Sequence, residues 1–177
     1  MASAASVSFP VMTSLLAKMP VYTAYRTESE AAAAERVYRQ ALGAVLRHCG
    51  DHLMTVLERR PQALSGEQEH LIGGLVERVA RIFRRLDREG IVCLVGDCHA
   101  TINELEELDA RLILMVEEAL SLARNLGPDM PTAAWFKDDA DRLGHDLESF
   151  SEMAEERNYL LGLGWESEFR WPGRSGA

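Results

Sequence analysis

Apolar residues recur every three or four positions along nearly the whole chain, and residues that start or stop helices stand where that spacing breaks. A stripe with this period buries one face of an α-helix and leaves the opposite face to water, so the pattern predicts an all-α protein. The chain has 177 residues, 47% of them hydrophobic and 27% charged, which suits one packed domain rather than a disordered chain. Residues 1–26 read as an apolar strap with a short helix, 27–162 as a helical bundle and 163–177 as an aromatic tail.

The strap carries a single charge, Lys18, between Val7 and Tyr25. Ser8 and Pro10 can start a short helix that Pro20 would stop, with Met12, Leu15, Leu16 and Met19 on one face. Such a segment packs across a bundle, or serves as a docking or membrane-surface arm; one basic residue is weak for the latter. Thr27-Glu28-Ser29-Glu30 has the form of a capping box, opening a helix that Pro61 ends. Its apolar face is Tyr38, Leu42, Val45, Leu46, Cys49, Leu53, Val56 and Leu57, and Gly43 and Gly50 allow a bend near Cys49-Gly50-Asp51.

Ser65 with Gln68 caps a second helix, whose stripe is Leu71, Leu75, Val79, Ile82 and Leu86 and whose end is Glu89-Gly90. Ile91 to Val95 is the one strand-like run; it reads as a buried connection, the alternative being pairing with a second copy. Thr101 with Glu104 predicts the start of a third helix bearing Leu105, Leu108, Leu112, Met115, Val116, Ala119 and Ala123, closed by Gly127-Pro128. Thr132 opens a fourth, with Asp138, Asp139 and Asp141 near its positive end and Phe136, Leu143, Leu147, Phe150, Ala154 and Leu161 inward. Two of the connections are short, which favours an antiparallel four-helix bundle, up-down-up-down, with a short N-terminal helix and an irregular C-terminal tail.

The net charge of −9 argues against general nucleic-acid binding, since a basic face supplies most of that affinity. Arg78, Arg81, Arg84, Arg85 and Arg88 nevertheless crowd one helix end, and Glu104, Glu106, Glu107 and Asp109 the start of the next. An antiparallel pair would set these clusters face to face; an external anion contact at Arg78, Arg81, Arg85 and Arg88 is the alternative.

Two polar residues lean inward, His52 and Asp109, and alternating helix directions would bring them to similar heights. A buried His52–Asp109 hydrogen bond would satisfy both and fix helix register, or form a pH-sensitive ligand contact. His48 and His52, one turn apart, are weak candidates for a metal ion, because His145 points away and no other ligand is identified. Glu67-Gln68-Glu69-His70 holds a lone Glu-x-x-His opposite its helix's apolar stripe, where paired copies are needed for a di-iron centre. Gly96-Asp97-Cys98-His99 with Cys93 lacks the remaining ligands of a metal or redox site. The odd set of three cysteines, Cys49, Cys93 and Cys98, and the lack of a basic leader or of an apolar run long enough to span a bilayer suggest a cytoplasmic protein with reduced thiols.

With no haem attachment motif, phosphate loop or nucleophile elbow in the sequence, no cofactor is expected and an enzyme is the weaker reading. Trp165, Phe169 and Trp171 in the tail are good anchors for a protein partner, or pack back on the bundle. The expected function is that of an interaction protein: an adaptor, regulator or assembly chaperone, with a homodimer as one option for its assembly. A metal- or haem-binding bundle, or a small-ligand sensor with a polar core near His52, is the alternative.

Overall fold

A computed structural model describes residues 15–21, 28–59, 64–86, 98–127 and 132–160. The described residues are helical throughout, apart from short turns, and contain no strand. Four long helices follow one another: α1 (Glu28–Arg59), α2 (Gly66–Leu86), α3 (Cys98–Asn125) and α4 (Ala140–Leu160), the last preceded by a π-helical turn, Trp135–Asp139. No described helix is long and apolar enough to cross a membrane.

Helix α1 packs on α2 and α3, and α4 packs on α3 and α2, so the helices form a ring in the order α1, α2, α4, α3. Their directions follow from cross-helix contacts. Gly43 meets Phe83 and Gly50 meets Val79, so α1 and α2 run in opposite senses. Glu118 pairs with Arg142 and Asp109 with Arg157, which makes α3 and α4 antiparallel as well. On the other two sides of the ring the sense is shared. Tyr38, Cys49 and His52 of α1 contact Asp109, Ala119 and Leu126 in that order. Arg78 and Arg85 of α2 contact Gly144 and Glu155 of α4, also in that order. Each sequential hairpin is antiparallel, but hairpin packs on hairpin with like-directed helices side by side, unlike an expected bundle in which all neighbours oppose.

This topology corrects the charge pairing read from the sequence. Helices α2 and α3 lie across the ring from each other, so the arginines of α2 do not face the acidic start of α3. Arg85 instead pairs with Glu155 of α4 at 2.9 Å, and Arg78 donates to the Gly144 carbonyl at 3.2 Å. Arg81 is exposed, and Arg84 returns to the Ala80 carbonyl of its own helix. Arg88, Cys93 and the Ile91–Val95 run lie outside the described residues, as do Thr27, Leu161 and the tail anchors Trp165, Phe169 and Trp171.

The local signals explain the helix ends. The Ser65 N–H donates to Gln68 Oε1 at 2.9 Å and the Gln68 N–H to Ser65 Oγ at 3.3 Å, a reciprocal capping box. Thr101, read as a cap, instead sits inside α3, which begins at Cys98. Thr132 does start its element: the Trp135 N–H donates to the Thr132 carbonyl at 3.1 Å and hydroxyl at 3.4 Å. In the strap, Leu15 is buried and Met19 packs on the core, with a hydrogen-bonded turn between them that Pro20 ends. Leu16, expected on the same face, is 49% exposed.

Glycine keeps α1 close to α2 rather than bending it. Helix α1 continues unbroken through Gly43 and Gly50, and a Cβ at either position would come within 3.2 Å of Phe83 or of Val79. The absent side chains let α2 seat its Phe83 ring and Val79 branch against the α1 backbone. The guanidinium of Arg47 stacks 4.5 Å over the Phe83 ring and covers its outer side.

Two stripes differ from expectation at their first position only. On α2, Ile72 is buried where Leu71 was expected, and Leu71 only packs on the rim. At the start of the fourth helical segment, Trp135 is buried and Phe136 half-buried. An uninterrupted α-helix would put Phe136 in phase with Leu143, seven residues on. The π turn inserts one extra residue, so Trp135 takes that place. Its indole N–H donates to the Leu122 carbonyl at 2.7 Å, and Phe136 meets it edge-on with ring centroids 5.2 Å apart.

Candidate functional site

Three charged side chains occupy positions in the apolar stripes. Glu35 precedes Tyr38 and Leu42 at helical spacing on α1, Asp109 lies between Leu105 and Leu112 on α3, and Arg157 follows Phe150 and Ala154 on α4. Helix phase alone therefore turns all three inward. They meet in the core at 1%, 0% and 2% exposure, the most buried charges among the described residues.

Arg157 is the hub. Its Nη1 donates to Glu35 Oε1 at 2.6 Å and its Nη2 to Glu35 Oε2 at 2.5 Å, a two-pronged pair that matches the guanidinium fork to the carboxylate. Its Nε donates to Asp109 Oδ1. Arg39, one turn after Glu35, brings its Nε to 3.3 Å from Glu35 Oε1. Two carboxylates are thus balanced by two guanidiniums, the condition for keeping charge in a low-dielectric interior. Tyr38 closes the group: its hydroxyl donates to the Asp109 carbonyl at 2.7 Å, and its ring lies 5.0 Å beneath the Arg157 guanidinium. Burial, reinforced by the negative charge of Asp109, pushes the Tyr38 phenol far above its ordinary value, so it stays a donor at every physiological pH. The cluster ties α1, α3 and α4 together one turn before α4 ends at Leu160.

The structure does not bring His52 and Asp109 together. His52 is half-buried, and its Nε2 lies 2.9 Å from the carbonyl of Leu126, just past the end of α3. Asp109 lies seventeen residues earlier, roughly 25 Å away along the helix axis. Parallel neighbours explain the separation: with α1 and α3 running in one sense, a residue late on α1 meets residues late on α3. His52 satisfies an orphan carbonyl at a helix C-terminus, and Asp109 finds a guanidinium instead. His48, His70 and His145 are exposed, and among the described residues no three His, Cys, Asp or Glu side chains gather as a metal site would need.

Cys49 is fully buried, its thiol pointing to the Ala119 carbonyl with 3.7 Å between sulfur and oxygen. Burial pushes its pKa up to about 12, so it remains protonated and behaves as a small apolar side chain. Two carboxylates lack such company. Glu117 is covered between Ile113 and Leu120, both of its oxygens have no hydrogen-bond partner, and burial raises its pKa. Asp146 has one buried oxygen without a partner; burial and the neighbouring charge of Glu118 raise its pKa, while Arg142 and His145 oppose the rise.

The ionic hub was missed in the sequence because Arg157 reads as an ordinary charge near a helix end. Its link to Glu35 spans 122 positions. The available signal was phase: three charges on three apolar stripes whose signs can combine. Compared with known proteins, the chain matches no family model, no curated protein and no solved structure.

Proposed function

We propose that this chain is a non-enzymatic interaction protein, an adaptor, regulator or assembly chaperone that binds another protein through its aromatic tail or an exposed helical face. The engagement of Arg157 carries the reading. That side chain fixes the last turn of α4 to α1 and α3, and the sequence places Trp165, Phe169 and Trp171 within the 11 residues that follow Leu160. Aromatic rings bury large area with few rotatable bonds, so a short ring-rich segment beside this helix end suits anchoring a partner. Among the described residues Arg157 is engaged with two carboxylates, and His52 and Tyr38 with backbone carbonyls, so the central polar group serves packing. A reducing compartment such as the cytoplasm fits this reading, because Cys49, among the described residues, is a buried free thiol.

The test compares three purified proteins as bait: the full chain, a chain ending at Leu161, and the full chain with Trp165→Ala, Phe169→Ala and Trp171→Ala together. The expected result is one protein bound stoichiometrically by the first and lost from both others, with helical circular dichroism unchanged. Equal capture by all three would remove the tail from the proposal and leave the helical faces. Stoichiometric metal on elemental analysis, or a Soret band in the absorption spectrum, would overturn the proposal in favour of a metal- or haem-binding bundle.

A further inference from the structure

We draw no further inference here: the strongest candidate, the buried carboxylate of Glu117 in the second half of α3, rests on its burial and raised pKa alone, and nothing among the described residues shows what ligand or chain segment would meet it.

Discussion

A charge in an apolar stripe is stable only with its partner, and that sets the first expectation at the scale of single residues. Arg157→Met keeps much of the side-chain volume but strands Glu35 and Asp109 in the core, so it should lower unfolding free energy by about 3–5 kcal/mol in a urea titration. Arg157→Lys keeps the charge but cannot bind Glu35 in two places, and should fall between the two. Glu117 behaves in the opposite way. Its pKa is higher folded than unfolded, so its contribution to stability is fully present below the ordinary carboxylate value near 4.5 and is lost as pH rises through the folded value. Glu117→Gln should therefore raise stability at pH 7, by on the order of 1 kcal/mol, and flatten the change in melting temperature between pH 7 and pH 4.5. A variant less stable than the parent at pH 7 would show that the carboxylate is satisfied in solution. These features were half legible: Asp109 stood out as inward-leaning, but a sequence gives phase without height, so the wrong partner, His52, was paired with it.

Elements were more legible than their contacts. Helix ends carry local chemistry, as at Ser65 with Gln68 and at Thr132, and local chemistry can be read without knowing neighbours. The glycines of α1 could not be read so, because their reason lies on another helix. Taken alone, Gly50 weakens α1 by about 1 kcal/mol relative to alanine; in place, it admits Val79. Gly50→Val should cost about 1–3 kcal/mol by overpacking. Gly50→Ala combined with Val79→Ala should be more stable than the sum of the two single changes, which thermal melts in a double-mutant cycle would measure. The π turn poses a similar problem, since one inserted residue leaves no composition signal. Deleting exposed Asp138 removes that extra residue, and the segment can continue as an α-helix with Trp135 still in phase. The deletion should keep the Trp135 ring buried, visible as a preserved near-ultraviolet circular dichroism signal. Loss of that signal would mean the π turn is needed to seat the ring.

For the whole molecule, periodicity correctly announced four helices and an interior made of their apolar faces. It did not reveal which helices adjoin, because α1 can oppose α2 and α3 oppose α4 in either ring order. Charge was no guide here, since the arginines of α2 complement the acids of α3 and of α4 equally well on paper. The ring order also decides what can come apart. Each hairpin packs consecutive helices together, the two hairpins meet through α1 with α3 and α2 with α4, and among the described residues α2 and α3 make few contacts. Severing that link after Leu86 and before Cys98 leaves two fragments, one carrying Glu35 and the other both Asp109 and Arg157. Mixed in equal amounts, the halves should reassociate into one helical complex. Titration followed by circular dichroism would show the gain, and the fragment with Glu35→Gln should bind its counterpart more weakly.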